Sequence, residues 1–225
     1  MKRIITHTTS ILAVTSIFLF SNCSNSVDSE SQSVLNTSNN SVFKSEEILA
    51  SINQLPAQEL SNEEKEGIIL MREEEKLARD VYHVLYSVWN SNVFNNISLS
   101  EQRHTDAVKR IIEKYQLTDP VADDANGVFT NNTLKTLYAQ LTEAGKTSLV
   151  DGLKVGAAIE EIDILDLQHQ LNEVVDNQDI QLVYKNLMLG SYNHLKSFVK
   201  NLSVQGITYS PQYLDEETYN SIINN

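Results

Sequence analysis

Cysteine, proline and glycine are all scarce in this 225-residue chain, with one, three and seven copies. A single cysteine excludes an internal disulfide framework and any zinc or iron–sulfur site built from several thiolates. The scarcity of proline and glycine favours long helices, because few residues break them. Basic residues are also few: 17 Lys and Arg stand against 30 Asp and Glu, a net charge of −13. Since affinity for phosphate comes mainly from Lys and Arg, we expect no nucleic-acid partner.

The N-terminus has the features of an export signal. Two basic residues precede a short apolar run, residues 11–20, which is too short to span a bilayer as a stable helix. The run is followed by Cys23, which resembles the lipidated first residue of a mature bacterial lipoprotein. We therefore predict a signal peptide at residues 1–22. Asn22 departs from the commonest lipoprotein pattern, so an ordinary signal peptide cleaved elsewhere is the alternative.

The segment after this cysteine has the composition of a flexible tether. Eleven of residues 24–41 are Ser or Asn, and no apolar period is visible. Such a stretch cannot bury enough surface to fold. We predict that residues 23–43 are a lipidated tether to the cell envelope, with the outer membrane, facing the periplasm or the exterior, preferred. A secreted or periplasmic protein is the alternative.

The rest of the chain carries apolar residues at helical spacing, and no segment shows the sustained alternation of a strand. Capping-box spacing predicts that the first two long helices start at Ser61 and Ser98. We predict an all-α four-helix bundle over residues 44–205, and a C-terminal extension with a short helix over 206–225. The four long helices are predicted at about 61–91, 98–116, 148–175 and 177–203, and short helices at 44–54, at 132–144 and after Asp215.

Each long helix has an apolar seam that is interrupted near its middle by polar residues. An ionised carboxylate without a partner is costly in an apolar core, and several together would repel each other. A cation neutralises them, and carboxylate plus imidazole is a ligand set suited to iron, manganese or zinc. The sequence therefore predicts a metal site. The interrupting residues are Glu75 on the first helix, Glu101 with His104 on the second, Glu160 on the third, and Ser191 with His194 on the fourth.

At two of these positions, periodicity alone does not decide which of several neighbouring carboxylates faces the core. Glu74 lies on an adjacent apolar register of the first helix and competes with Glu75. On the third helix, Glu161 and Asp163 compete with Glu160 in the same way. Glu101-x-x-His104 is less ambiguous, because its two side chains lie on one helical face one turn apart.

Four stretches resemble motifs of an uncharacterised prokaryotic ferritin-like family, the domain of unknown function 2202. The resemblance extends from about residue 62 to 219 and implies a ferritin-like four-helix fold, similar to rubrerythrin and bacterioferritin. It also implies a dinuclear site, for which iron is the first choice of metal. The stretches are LMREEEKLARDVY at 70–82, SEQRH at 100–104, IEEIDILDL at 159–167 and NHL at 193–195.

The resemblance also implies roles for particular residues. Tyr82, seven residues after Glu75, would be a hydrogen-bond partner of the site rather than a ligand, and this spacing favours Glu75 over Glu74. Ser191 stands where a Glu is expected, so one carboxylate is missing. Either Asp163, one turn from Glu160, compensates, or the site has one strong and one weak metal position. The implied ligands are Glu75, Glu101, His104, Glu160 and His194.

Three functions are compatible with these patterns. The first is a metal-dependent oxidase that uses dioxygen or peroxide. The second is a non-catalytic metal-binding module on the cell envelope. The third is a metal-free helical interaction domain whose seam acids pair with Arg72, Arg79 or Arg103. The expected partners are metal ions and, through the lipid anchor, a membrane, and a homodimer is compatible with the ferritin-like resemblance.

Overall fold

Long stretches without proline form long helices in this protein. A computed structural model describes residues 45–224, and these residues contain no strand. The predicted signal peptide (1–22), Cys23 and the predicted tether (23–43) lie outside the described residues. The helices are α1 (Ser45–Gln54), α2 (Asn62–Trp89), α3 (Asn92–Lys114), α4 (Asn132–Gly145), α5 (Leu149–His169), α6 (Gln178–Val204) and α7 (Glu216–Asn224). One turn of π-helix, Gln170–Val174, follows α5 directly.

The predicted capping box at Ser61 is confirmed. The Glu64 amide donates to Ser61 Oγ over 3.0 Å, and the Ser61 amide donates to Glu64 Oε2 over 2.8 Å. These two bonds satisfy amides at the helix start that have no partner within the helix.

The predicted start of the second long helix at Ser98 is wrong, because α3 already begins at Asn92. Phe94 and Ile97 are buried at helical spacing before Ser98, and their burial extends the helix toward its N-terminus. The Ser98 hydroxyl donates instead to the Arg79 carbonyl on α2, over 3.2 Å. Glu101 is thus not needed for capping.

The four long helices pack as two pairs. Helix α2 packs mainly against α3, and α5 mainly against α6; contacts of α3 with α6 and of α2 with α5 complete a helical bundle. Helix α4 lies on α2 and α5, α1 on α3 and α6, and α7 on α6. Among the described residues, no helix is both long and apolar enough to cross a membrane.

A buried polar layer lies between two apolar parts of the bundle. On one side is a core that includes Met71, Val108 and Leu187. On the other side are aromatic rings, with Phe198 5.2 Å from Tyr82 and 5.9 Å from Phe94 between centroids. The polar residues that interrupt the four seams occupy the layer between them.

A buried carboxylate holds the segment between α6 and α7. Glu161 on α5 is fully buried, and its oxygens accept hydrogen bonds from the amides of Gln212, Tyr213 and Leu214 at 2.7–2.9 Å. The Tyr209 hydroxyl donates a fourth bond of 2.7 Å. One side chain of α5 therefore fastens the segment between α6 and α7 to the bundle.

We expect Glu161→Gln to lower the free energy of unfolding by about 2 kcal/mol, because the amide keeps one acceptor oxygen but presents a donor to buried amides. Urea denaturation with a chelator present would measure the loss. The matched control is Glu143→Gln on α4, where the side chain is exposed. Equal stability of the two variants would contradict this role of Glu161.

Candidate metal centre

The polar layer receives side chains from all four long helices. Glu75 comes from α2, Glu101 and His104 from α3, Glu160 from α5 and His194 from α6, and all five are buried. The structure thus brings together all five residues predicted as ligands.

Glu101 lies between the two histidines. Its Oε2 is 2.8 Å from His104 Nδ1, and its Oε1 is 2.8 Å from His194 Nδ1. The two imidazole rings are nearly parallel, with centroids 5.4 Å apart.

Each histidine also faces the carboxylate of the helix that precedes its own. His104 Nδ1 is 3.1 Å from Glu75 Oε2. His194 Nδ1 is 3.4 Å from Glu160 Oε2. Three acidic side chains and two imidazoles therefore form one connected cluster.

The ligand atoms of Glu101, His104 and His194 lie within 4.8 Å of one another. One carboxylate oxygen and two imidazole nitrogens at such distances can serve one ion, and this donor set suits iron, manganese or zinc. By their arrangement, these three residues could hold a metal ion.

Several polar atoms of the cluster have no hydrogen-bond partner among the described residues. Glu75 Oε1 is buried without one. Glu101 Oε1 and His194 Nδ1 are close, but their orientation does not form a hydrogen bond. Buried polar atoms in native proteins are nearly always satisfied, so this concentration of exceptions fits residues that bind a cation.

Burial and mutual charge shift the pKa values of the cluster. Burial raises the pKa of Glu75 to about 7, although His104 lowers it. Burial alone would lower the pKa of His194, but Glu101 and Glu160 outweigh it and raise this pKa to about 9. Burial would raise the pKa of Glu101, yet the two histidines hold it well below its usual range. Without metal, protonated imidazoles therefore neutralise the carboxylates.

Metal binding is expected to release protons, because an imidazole nitrogen must be neutral to coordinate an ion. His194, with its pKa raised to about 9, carries a proton throughout pH 6–8, and Glu75, with a pKa of about 7, carries one in the lower part of that range. For each proton that the metal displaces, the metal affinity rises by about tenfold per pH unit. We expect Co²⁺ affinity to rise at least about 100-fold from pH 6 to pH 8, measured by calorimetry. An affinity that levels off above pH 6.5, as with an unshifted histidine, would contradict this.

Tyr82 supports the cluster through Glu160, as a hydrogen-bond partner. Its hydroxyl donates to Glu160 Oε1 over 2.6 Å and lies 3.3 Å from the Gly156 carbonyl. A ligand carboxylate held in this way keeps one orientation. The other Glu160 oxygen faces His194.

The contacts differ between the alternative registers. Glu75 contacts His104. Glu74 is half-buried, and burial raises its pKa together with the charges of Asp166 and Glu75. Glu161 binds the C-terminal segment, so Glu160 is the residue of that pair that faces the histidines.

Asp163 and Ser191 are joined at the edge of the cluster. The Ser191 hydroxyl donates to Asp163 Oδ2 and is 3.2 Å from the Leu187 carbonyl. Burial raises the pKa of Asp163 well above its usual value, and the carboxylates of Glu75 and Glu160 raise it further. Asp163 therefore lies within the electrostatic reach of the predicted ligands.

Two of the three arginines predicted as partners of the seam acids in a metal-free domain, Arg72 and Arg79, bind elsewhere. Arg72 donates to Asp119 over 3.1 Å, and Arg79 to Asp80 and Asp124 over 2.8 Å each. The seam acids contact histidines instead.

Sequence reasoning did not single out Gly190, which precedes Ser191 on α6. A Cβ atom at this position would lie 2.5 Å from His104 Cε1 and 2.6 Å from Nε2. The glycine makes room for the imidazole ring, and its place in the middle of a long helix, where Gly is unfavourable, is the signal that would have identified it.

Comparison with known proteins places the chain in a family. Residues 64–225 match the model of an uncharacterised protein domain, DUF2202. A relative, the uncharacterised protein MJ0754 of Methanocaldococcus jannaschii, is 53% identical over 176 residues, covering 78% of this chain and 95% of its own. The crystal structure of hypothetical protein MJ0754 superposes with a TM-score of 0.74 at 54% identity, covering 76% of this chain and 97% of that one. The chain belongs to the DUF2202 family.

Proposed function

We propose that this chain is an envelope-anchored, ferritin-like metal protein with a dinuclear iron–carboxylate site that carries out oxygen- or peroxide-dependent oxidation. The observation that carries the proposal is the position of Glu101 between His104 and His194, with Glu75 and Glu160 on either side. A buried cluster of three acids needs positive charge, and a metal ion supplies it more compactly than two protonated imidazoles.

The connectivity of the helices supports the ferritin-like part of the proposal. Helices α2 and α3 pair through a short connection, and α5 and α6 pair likewise. A long connection that contains α4 joins the two pairs. Carboxylate-bridged di-metal bundles take one Glu from each of two helices and Glu-x-x-His from the other two, and Glu75, Glu160 and Glu101-x-x-His104 follow that pattern.

Different residues of the chain have different roles in such a site. Glu75, Glu101, Glu160, His104 and His194 would hold iron, with manganese or zinc as the next candidates. Bound iron would supply one-electron chemistry with dioxygen or peroxide. Tyr82 fixes Glu160, and the apolar residues on both sides of the layer keep bulk water away from the cluster.

The envelope anchor rests on the sequence pattern around Cys23. Its test is separate from the metal chemistry. A Cys23→Ser variant is expected to move from the membrane fraction to the soluble fraction of its host, and an unchanged distribution would overturn the lipid anchor.

Elemental analysis of the purified full chain tests the proposed function. Two irons per chain, with oxygen uptake when ferrous iron is added, would support the oxidase. One metal without oxygen uptake would support the non-catalytic module, the alternative that the serine at position 191 favours. Metal far below one ion per chain would overturn both.

Two variants and one control identify the ligands in the same experiment. His104→Ala and His194→Ala are expected to lose metal. The control is His83→Ala on α2, an exposed histidine outside the cluster, which is expected to keep it. Equal loss in all three variants would point to adventitious metal on surface histidines.

A further inference from the structure

The cluster consists of two similar halves. Helices α2 and α3 supply Glu75, Glu101 and His104, and helices α5 and α6 supply Glu160, Ser191 and His194. In each half, the histidine faces the carboxylate of the preceding helix. Three residues before each histidine, on the same helix, lies a further polar residue. The halves differ at this residue, which is Glu101 on α3 and Ser191 on α6.

A carboxylate from α5 contacts Ser191, the residue that stands in place of a carboxylate. Ser191, fully buried, donates its hydroxyl hydrogen to Asp163 Oδ2. Asp163 lies three residues after Glu160, so both project from one face of α5. The corresponding position on α2, three residues after Glu75, is Ala78. The half that lacks a carboxylate on its second helix thus has an additional one on its first.

Asp163 lies within the electrostatic reach of the rest of the cluster. The charges of Glu75, Glu160 and Glu101 all act on its carboxyl group. Glu75 Oε1, a buried oxygen of the same cluster, has no hydrogen-bond partner among the described residues. Carboxylates gathered in this way repel each other unless a cation lies between them.

We propose that Asp163, oriented by the Ser191 hydroxyl, is a ligand of a second metal position shared with Glu75 and Glu160, and replaces the carboxylate missing from position 191. This inference rests on the proposed metal function. Serine is then a functional part of the site: its hydroxyl holds Asp163 through a hydrogen bond, as outer partners hold ligand carboxylates in other metal sites.

Metal stoichiometry tests the inference without any assay of activity. The full chain, freed of metal by a chelator, is titrated with Mn²⁺, and free and bound ions are separated by equilibrium dialysis. Wild type is expected to bind two ions with the spin-coupled electron paramagnetic resonance spectrum of a pair. Asp163→Asn is expected to bind one, with the affinity of the first position changed by less than about threefold. Ser191→Ala is expected to weaken only the second ion, by about 10–100-fold.

The control is Asp166→Asn, one turn further along α5, which is expected to bind two ions as wild type does. A rescue variant sharpens the test, because Asp163→Ala combined with Ser191→Glu returns the carboxylate to α6 and is expected to restore the second ion. Circular dichroism confirms that each variant is folded, and Ser191→Ala, a small change, carries the test if Asp163→Asn does not fold.

The outcomes separate the inference from the proposed function. Two ions in Asp163→Asn would overturn the role of Asp163 and leave the proposed dinuclear site intact. One ion in wild type would overturn the second metal position together with the dinuclear part of the proposed function, and leave the first position intact. If the rescue variant binds one ion, the inference that Asp163 replaces a carboxylate missing from position 191 is also overturned. No ion in wild type would overturn the proposed function together with the inference.

Discussion

Glu101→Gln is expected to abolish tight metal binding while the protein stays folded. Glu101 is the side chain that contacts both histidines, with each of its oxygens 2.8 Å from one imidazole nitrogen. Glutamine has the same shape but carries no charge, and its nitrogen is a donor where a ligand is needed. The loss should exceed the roughly 10–100-fold that removal of an outer partner costs a metal site. Elemental analysis and calorimetric titration with Co²⁺ measure it.

The matched control for this variant is Glu113→Gln, near the end of the same helix, where the side chain is exposed. It is expected to bind metal as wild type does. A second readout comes from the metal-free state, because Glu101 is the strongest influence that raises the pKa of His194 to about 9. In Glu101→Gln that pKa should fall, which titration by nuclear magnetic resonance detects. Unchanged metal affinity and an unchanged histidine pKa would contradict the central place of Glu101.

Helical periodicity predicted where each apolar seam is interrupted by polar residues, and at three positions it also predicted the residue. In a helix of many turns, positions three and four residues apart share a face, so a polar residue on an apolar seam must enter the core. Glu101, His104 and His194 were predicted in this way. Periodicity left Glu75 open against Glu74, and Glu160 open against Glu161 and Asp163, and the family resemblance favoured Glu75 and Glu160. All five favoured residues are buried in one cluster. The helix order and the long connection also followed from sequence, because breakers are few and residues 117–131 carry Pro120, Gly127 and the pair Asp123 and Asp124.

Short local motifs were less informative than periodicity. Ser61 and Ser98 are each followed three residues later by a Glu, and the first pair forms a capping box while the second lies inside a helix. The spacing is the same in both cases. What differs is burial of apolar residues before Ser98, and that depends on tertiary contacts, which override local preference.

Contacts between distant segments could not be predicted from the sequence. Glu160 and Glu161 are adjacent, yet one faces the histidines and the other accepts amides from residues 212–214, about 50 positions away. Asp163 was considered as a compensating carboxylate, but its hydrogen bond with Ser191 depends on how α5 and α6 are placed against each other. Periodicity sets the face of a residue and not its partner.

The charged motif at the centre of α2, residues 72–80, illustrates the difference between the face on which a residue lies and the partner that it contacts. Glu75 faces His104, whereas four other charged residues hold the segment between α3 and α4. These are Arg72, Glu73, Lys76 and Asp80. The Gly127 amide donates to Asp80 over 2.9 Å, and the Asn131 amide donates to Glu73 over 3.1 Å. Most charges of the motif therefore fasten a connecting segment, and one of them enters the site.

Lys76→Met is the variant that tests this second role, and we expect it to lower the free energy of unfolding by about 3 kcal/mol. Lys76 is fully buried, 2.5 Å from Asp80 and 2.9 Å from the Ala125 carbonyl, with its ammonium 4.6 Å from the Phe129 ring centre. Methionine fills a similar volume but leaves the Asp80 carboxylate with less positive charge, and a buried charge that loses a partner is costly.

The measurements for Lys76→Met separate the fastening of the connecting segment from the metal site. Urea denaturation gives the stability, and hydrogen exchange should show faster exchange between residues 117 and 131. Co²⁺ binding should change by less than about threefold, because Glu75 contacts His104 whereas Lys76 contacts Asp80 and the Ala125 carbonyl. The control is Lys109→Met, an exposed lysine on α3, where stability should change by less than about 0.5 kcal/mol. If Lys76→Met instead removed the metal and left the connecting segment protected, the division of the motif into two faces would be wrong.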